Sequence, residues 1–294
     1  MSVAEPMGPR PAPFVPPLPL AHGELDAEDA RELQALKAQI RIASGFLCEG
    51  YKEKCLRRRI AVRMRARGVH RYADYADLLG KDAEEYARLL AAVTINVSKF
   101  FRNSEVWDTL RAAVMPALFA RPDPVVRIWS AGCAGGEEAY SLAMTVLEYA
   151  EKIGKPAAAR RFRILGTDID AQILDVARHG EYPELAFAET PPEARERWFC
   201  GSGLRSVRPE VRALVRFEKA DLLRDAPAAA HHLILCRNVV IYFERSVQDA
   251  LFTRFADALA PGGFLMLGKV ETLLGPAAPR FRVIANAERL FSLT

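Results

Sequence analysis

From residue 125 onward, short apolar runs alternate with amphipathic segments, and this alternation constrains the fold more than any other feature of the 294-residue chain. Such alternation is typical of a parallel sheet covered by helices on both faces. We therefore predict an α/β domain over residues 125–294. Its strands are predicted at 125–130, 162–166, 215–219, 232–236 and 264–268, with a hairpin at 282–285 and 289–293, and its helices at 138–152, 171–178 and 247–259.

One segment, residues 179–214, interrupts this alternation. It contains clustered prolines and glycines between two predicted strands, and it is too long for an ordinary connection in an α/β domain. We predict a small inserted subdomain here, with a short helix near residues 192–199.

The first part of the chain is organised differently. Seven of the first twenty residues are proline, so residues 1–24 are predicted to be a disordered tail. A helical N-terminal domain is predicted at 25–97, and a linker helix at 98–124. The residues that indicate the helical domain are Asp26 as an N-cap, Leu56, Ile60 and Met64 as a buried stripe, and Gly68 as a helix end.

Composition excludes several classes of protein. The five cysteines include no CxxC pair, so we expect no metal site, and free thiols fit a reducing cytoplasm. No apolar run approaches the roughly 18 residues of a membrane span, and the N-terminus lacks the basic and apolar stretches of a signal peptide. The net charge of +4 is too small to indicate nucleic acid by itself. We therefore expect a cytoplasmic protein that does not insert into the membrane.

The loop after the first predicted strand carries the most informative motif, RIWSAGCAGGEEAY at 127–140. Ligands of parallel sheets bind at the carboxyl ends of the strands, and a glycine such as Gly132 lets the backbone approach a ligand closely. Nucleotides, phosphates and S-adenosylmethionine all bind loops of this kind. Glu137 and Glu138 favour S-adenosylmethionine, because carboxylates at a helix N-terminus repel a pyrophosphate and attract an ammonium group. The alternative is that these acids only stabilise the helix dipole.

Polar side chains follow the later strands as well. Asp168, in GTDID, ends a strand where a carboxylate can accept hydrogen bonds from ribose hydroxyls, and Asp170 is predicted to cap the next helix. Asp221, in KADLL, either meets the adenine amino group or stabilises a turn. Arg237 and Asn238, which follow a strand ending at Cys236, are predicted to lie at the cofactor edge, with Tyr242 within reach. The segment around them lacks the motifs of adenine and cytosine methylases, so we do not expect a nucleic-acid substrate.

Six motifs, in this order, resemble the chemotaxis receptor methyltransferases of the CheR family: TINVSKFFRN, RIWSAGCAGGEEAYSLAM, GTDID, DLL, LCRNVVIYF and LAPGGFLMLG. The resemblance covers roughly residues 30–293. It implies a small all-helical N-terminal domain, a Rossmann-like class I methyltransferase sheet and a small inserted β subdomain. It also implies a protein-glutamate O-methyltransferase that uses S-adenosylmethionine and releases S-adenosylhomocysteine. The implied substrates are glutamates on the cytoplasmic signalling helices of methyl-accepting chemotaxis receptors, which become γ-methyl esters during sensory adaptation.

The resemblance also implies a role for individual residues. Asn96, Ser98 and Arg102 would belong to the cofactor and substrate site, and Tyr242 would line the reaction centre. Because a guanidinium matches the geometry of a carboxylate, Arg102 is also the candidate for steering the acceptor. Arg102 and Tyr242 are therefore the predicted catalytic residues. Glu137 would bind the amino-acid end of the cofactor, and Asp168 its ribose. With Gly132, the predicted cofactor-binding set is Asn96, Ser98, Arg102, Gly132, Glu137, Asp168, Asp221, Leu222, Asn238 and Val239.

The chain departs from the family pattern at several positions. Ser98 stands where threonine is usual, which keeps the hydroxyl, and Asp221 stands where asparagine is common. The motif GKVET at 268–272 replaces the usual glycine–x–serine–glutamate, so the resemblance assigns no role to Lys269 or Glu271.

The predicted helix that carries the buried stripe Leu56, Ile60 and Met64 is strongly basic on its other faces. Receptor methylation regions are acidic helices, so these basic residues are predicted to steer docking of a monomeric enzyme; the alternative is a solvated face. Two other functions stay open: a small-molecule or RNA methyltransferase on the same fold, and a non-catalytic regulator that binds S-adenosylmethionine. The predicted docking residues are Arg57, Arg58, Arg59, Arg63 and Arg67.

Overall fold

The computed structural model describes residues 25–94, 96–225 and 230–294. The predicted proline-rich tail at 1–24 lies outside the described residues. Within the described ranges, no helix is long and apolar enough to cross a membrane.

The range 25–94 folds into four α-helices. They are α1 Ala27–Ser44, α2 Glu53–Ala66, α3 Tyr72–Leu79 and α4 Ala83–Thr94. Asp26 caps α1 as predicted, because its carboxylate accepts hydrogen bonds from the backbone N–H groups two and three residues further on. The predicted stripe is also confirmed, since Leu56, Ile60 and Met64 are buried against the other helices. Gly68 follows the end of α2 with a φ of +66°.

The predicted linker helix is shorter than expected. It comprises α5 Ser104–Thr109, a π-helical turn Leu110–Val114 and α6 Met115–Ala120. Residues 98–103 were predicted to be helical, but Phe101 and Asn103 have φ values of 53° and 62°, which no α-helix contains. The segment before α5 is therefore a loop with a turn at Phe100 and Phe101, and it places the Arg102 carbonyl against Arg237, which follows β7.

The predicted parallel sheet with helices on both faces is confirmed. The strands are β1 Val126–Ala131, β2 Phe162–Asp168, β3 Glu181–Tyr182, β4 Phe199–Cys200, β5 Arg205–Val207, β6 Val215–Lys219, β7 His231–Cys236, β8 Leu259–Leu267, β9 Phe281–Ala285 and β10 Leu290–Leu293. The helices between them are α7 Glu137–Lys152, α8 Ala171–His179, α9 Pro192–Trp198, α10 Pro209–Arg212 and α11 Arg245–Ala258. The main sheet has the order β6-β2-β1-β7-β8-β10-β9. Its first five strands are parallel, and β10 runs antiparallel to β8 and β9.

The inserted subdomain is a separate three-stranded antiparallel sheet of order β3-β5-β4, and it includes the predicted short helix as α9. Its aromatic core receives Phe100 from the loop before α5. The ring of Phe100 stacks on Phe187 with centroids 5.2 Å apart, and it contacts Tyr182 and Phe199 edge-on. The subdomain thus packs directly against the loop that carries Arg102.

Candidate active site

The loop between β1 and α7 packs too tightly for side chains at its glycines. Gly132 and Gly136 have φ values of +78° and +88°. A Cβ on Gly132 would lie 2.6 Å from Cγ2 of Val239. Ala134 has a φ of +47°, which is strained for a residue with a side chain and marks a constrained site. The glycine-rich loop therefore lies directly against the residues that follow β7.

Two aspartates at the ends of β2 and β6 line the cavity beside this loop. The carboxylate of Asp168 accepts hydrogen bonds from the N–H groups of Ala134 at 2.9 Å and Asp170 at 3.0 Å, and burial raises its pKa. Asp221 lines the same cavity, and its Oδ1 also accepts the N–H of Leu223 at 2.8 Å. Asp221 therefore stabilises a turn, which is one of its two predicted roles, and its contact with the adenine amino group stays a prediction.

Asn96 does not line the cavity but holds the loop that precedes Arg102. Its Nδ2 donates to Oδ2 of Asp170 at 2.6 Å. Asp170 also caps α8, as predicted, by accepting backbone N–H groups of the first turn. Asn96 thus joins the start of this loop to the end of β2.

Arg102 lines the cavity, and no described residue hydrogen-bonds or pairs with its guanidinium. Its backbone, in contrast, is firmly held. The carbonyl oxygen of Arg102 accepts from Nη2 of Arg237 at 2.9 Å and from Nε1 of Trp107 at 3.1 Å. On either side of it, Phe101 and Asn103 adopt left-handed conformations. The chain therefore fixes the base of this side chain and leaves its charged end available in the cavity.

Arg237 is a site residue whose role the sequence did not predict. Its side chain is 2% exposed, and its Nη1 lies 3.3 Å from Oε2 of Glu138. Its Nη2 also donates to Oδ1 of Asn103 at 3.0 Å. The other oxygen of Glu138 accepts the Ser130 hydroxyl at 2.8 Å. A buried pair of this kind loses about 3–5 kcal/mol when one partner is removed, so Arg237 fixes both the Arg102 loop and the start of α7.

Glu271 also has a clear place, although the resemblance assigned it none. It is 3% exposed, and its carboxylate accepts backbone N–H groups of Asn238 at 3.0 Å, Val239 at 2.9 Å, Ile241 at 3.3 Å and Gly268 at 2.5 Å. Burial raises the pKa of Glu271, and these hydrogen bonds oppose that rise. The carboxylate holds the loop after β7 against the glycine-rich loop.

The N-terminal domain supplies part of the cavity wall around Tyr242. The guanidinium of Arg59 lies over the Tyr242 ring, with 5.6 Å from Cζ to the ring centroid. The N–H of Lys52 donates to the Tyr242 carbonyl at 2.8 Å. Tyr51, which was not predicted, lines the cavity and packs edge-on against Phe243, with centroids 4.9 Å apart. The two domains therefore meet at the site itself.

Most of the predicted site residues come together in this one cavity, whereas Asn96 and Glu137 are not part of its lining. The predicted residues that line it are Ser98, Arg102, Gly132, Asp168, Asp221, Leu222, Asn238, Val239 and Tyr242.

Comparison with known proteins identifies the family. Residues 96–289 match the model described as CheR methyltransferase, SAM binding domain, and residues 31–94 match the CheR methyltransferase, all-alpha domain. The chain belongs to the CheR methyltransferase family. The predicted family, the fold class and S-adenosylmethionine as the cofactor are thereby confirmed.

Curated relatives agree with this assignment to the CheR family. A chemotaxis protein methyltransferase of Listeria innocua is 36% identical over 228 residues, which are 77% of this chain and 84% of that protein. A chemotaxis protein methyltransferase of Vibrio parahaemolyticus is 34% identical over 212 residues, or 69% and 76% of the two chains. Chemotaxis protein methyltransferase 1 of Pseudomonas aeruginosa is 36% identical over 187 residues, or 62% and 68%.

The residues of this CheR-family site fit the cofactor, and Glu137 gives the strongest test. The side chain is buried at the N-terminus of α7, and its Oε2 has no hydrogen-bond partner among the described residues. Burial raises the pKa of Glu137 to about 7, although hydrogen bonds from its own backbone N–H and from the Ser98 hydroxyl oppose the rise. A buried carboxylate oxygen without a partner is costly, and the ammonium group of S-adenosylmethionine is a suitable partner.

The predicted docking arginines differ in their availability. Arg57 is 7% exposed, so it cannot present its charge to a partner. Arg63 binds the buried Glu85 through two hydrogen bonds of 3.0 and 2.6 Å, and Arg67 bonds to Glu85 at 3.2 Å as well. These three arginines stabilise the helical domain, whereas Arg58 is exposed. The basic residues of α2 are evident in the sequence, whereas their acidic partner on α4 is not.

Proposed function

We propose that this CheR-family protein methylates glutamate side chains of chemotaxis receptors, forming the γ-methyl ester. The observation that supports this acceptor most directly is the guanidinium of Arg102, which lines the cavity and has no partner among the described residues. A guanidinium matches the geometry of a carboxylate, and it would be unfavourable beside a protonated amine. The family and its relatives' names support chemotaxis as the setting.

The chain needs no general base for this reaction. A glutamate carboxylate is already ionised near pH 7 and can attack directly. S-adenosylmethionine, when bound, supplies an electrophilic methyl group on a sulfonium. Attack by the carboxylate oxygen would form the ester bond as the carbon–sulfur bond breaks, with the electron pair going to sulfur and S-adenosylhomocysteine as the second product.

The work of the protein is alignment. Holding two reactants in near-attack geometry can lower a barrier by about 7–11 kcal/mol. In the proposed reaction Arg102 hydrogen-bonds to one carboxylate oxygen and Tyr242 confines the acceptor from the N-terminal domain side. The fixed backbone of Arg102 is what makes such alignment feasible, since its carbonyl is held by Arg237 and Trp107.

The acceptor glutamates belong, in this proposal, to the cytoplasmic signalling helices of the receptors, and the enzyme acts there as a monomer. Such helices are acidic, so exposed cations near the site favour docking. Arg58 is the exposed member of the predicted docking set, and it lies one residue before Arg59, which contacts Tyr242. Docking against α2 would bring the receptor helix close to Tyr242, which Arg59 of the same helix contacts.

The decisive experiment measures transfer of a labelled methyl group to receptors of the source organism. We expect base treatment of the labelled receptor to release methanol, because esters are base-labile and N-methyl groups are not. Base-stable label would contradict a carboxylate acceptor, and absence of label would contradict the receptor as substrate even if calorimetry still detects cofactor binding.

A variant tests the role of Arg102. Arg102→Ala should lower kcat by about 100-fold, as expected for a lost positioning contact. The Kd for S-adenosylhomocysteine should change less than about threefold, which is well under the 1.4 kcal/mol of a tenfold change. Arg282→Ala, at an exposed arginine on β9, is the matched control. Equal losses in kcat and cofactor affinity would contradict the assignment.

A further inference from the structure

Glu189 belongs to the inserted subdomain, yet its carboxylate contacts the loop that carries Arg102. Oε2 of Glu189 accepts the backbone N–H of Asn103 at 2.7 Å. Its Oε1 lies 3.5 Å from Nζ of Lys99. One carboxylate therefore contacts the loop on both sides of Arg102. No motif in the sequence predicted this role, because the contacts span 86 and 90 residues.

The loop needs such external support. Phe101 and Asn103 have φ values of 53° and 62°. Left-handed backbone costs roughly 1–2 kcal/mol for a residue such as phenylalanine, and asparagine tolerates it better. Conformations of this kind persist only where the surroundings determine them. Asn103 also stands at the N-cap position of α5 without a side-chain cap of its own. The N–H that Glu189 accepts is therefore at the point where the chain turns from the strained loop into the helix.

Support reaches this loop from two separate parts of the molecule. On one side Arg237, which follows β7, binds the Arg102 carbonyl and the Asn103 side chain. On the other side the inserted subdomain provides Glu189 and the Ala186 carbonyl, which accepts the Phe100 N–H at 3.0 Å. Hydrogen bonds to a carboxylate are roughly twice as strong as neutral ones, so we expect the Glu189 contact to be the stronger of these two.

We propose that Glu189 is a positioning residue, which acts on the reaction by holding the loop on either side of Arg102, where Phe101 and Asn103 have left-handed backbone. This inference rests on the proposed function, because it assumes that Arg102 aligns the acceptor. The inserted subdomain then contributes to turnover through this one carboxylate and not only through packing around Phe100.

The test compares Glu189→Ala with Glu189→Gln, which keeps an oxygen that can accept the Asn103 N–H. We expect Glu189→Ala to lower kcat for receptor methylation by about 10-fold to 100-fold, which is the effect of misplacing a reacting group by about 1 Å. The Kd for S-adenosylhomocysteine should stay within about twofold of the wild type, a change under 0.5 kcal/mol. Glu189→Gln should restore most of the loss. Glu196→Ala, at an exposed glutamate of the same subdomain, is the control and should leave kcat unchanged.

Hydrogen–deuterium exchange of the peptide that contains residues 99–103 gives a readout that does not depend on the acceptor. The Asn103 amide should exchange faster in Glu189→Ala than in the wild type or in Glu196→Ala. Unchanged exchange, or a loss of cofactor affinity equal to the loss of kcat, would overturn the inference. A wild type that methylates no receptor contradicts the proposed function instead, and the exchange result then still decides whether Glu189 holds the loop.

Discussion

The buried carboxylate of Glu137 leads to a prediction in which stability and binding change in opposite directions. Burial raises its pKa from an ordinary 4.5 to about 7. In the free protein, keeping this group ionised therefore costs about 3 kcal/mol, at about 1.4 kcal/mol per pKa unit. Because the folded pKa is above the unfolded one, the stability associated with the protonated group is present below pH 4.5 and is lost as the pH rises through about 7.

Glu137→Gln removes that cost, since glutamine does not ionise. The free variant should be more stable than the wild type at pH 8, by up to about 3 kcal/mol, and the difference should disappear towards pH 5. The cofactor should bind the variant more weakly, because its ammonium group loses a buried charged partner, a contact worth about 1.5–3 kcal/mol.

The affinity of the wild type should also depend on pH. With a pKa of about 7, roughly nine tenths of Glu137 is ionised at pH 8 and roughly one tenth at pH 6. The Kd for S-adenosylhomocysteine should therefore rise about tenfold between pH 8 and pH 6. Calorimetric titrations at pH 6, 7 and 8, with thermal unfolding of the free proteins at the same pH values, measure both effects.

The glutamine variant controls for titration of the ligand's own groups, and Glu151→Gln controls for the loss of an acid from the same helix, since Glu151 is exposed and pairs only with an exposed arginine. A wild-type Kd that is the same at pH 6 and pH 8 would refute the assignment of the ammonium group to Glu137. An equal pH dependence in Glu137→Gln would refute it as well.

Three further predictions concern the support of the site and the docking face. Gly132→Ala should lower cofactor affinity and cost about 1–2 kcal/mol of unfolding free energy, because its φ is +78° and its Cβ would meet Val239 at 2.6 Å; calorimetry and denaturant unfolding measure the two. Glu271→Gln should lower the unfolding free energy by about 2–3 kcal/mol, since an amide cannot accept all four N–H groups that the carboxylate binds; an unchanged Tm would contradict this. Arg58→Glu should raise the KM for the receptor several-fold at low salt and leave Tm unchanged, whereas Arg63→Glu should lower Tm. If the KM of Arg58→Glu does not depend on salt, electrostatic steering by Arg58 is rejected.

The strand ends show which parts of the site a sequence can predict. Gly132, Asp168 and Asp221 each follow a short apolar run, and parallel strands bring their carboxyl ends to one edge of the sheet. Their meeting in one cavity could therefore be expected from the order of these runs along the chain. The capping role of Asp170 was predictable for a similar reason, because a cap is defined by its immediate neighbours in the chain.

The contacts that fix these residues were not predictable in this way. Arg237 meets Glu138 across 99 residues and the Arg102 carbonyl across 135. Glu271 binds backbone N–H groups, which leave no trace in the side-chain pattern. The basic helix led to a similar error, since the partner of Arg63 is 22 residues away on α4. Local periodicity predicts elements and their ends, whereas polar partners between elements depend on packing.

Two charges of opposite sign belong to this site, and no ion pair within 4 Å joins them. Glu137 is buried with one oxygen lacking a partner, and Arg102 has a guanidinium that no described residue binds. Arg237 and Glu138, in contrast, pair with each other. If Glu137 and Arg102 bound each other, both would be neutralised before any ligand arrived. Because they are held apart, Glu137 keeps one oxygen for the ammonium group of the cofactor, and Arg102 keeps its guanidinium for the acceptor carboxylate, as the proposed reaction requires.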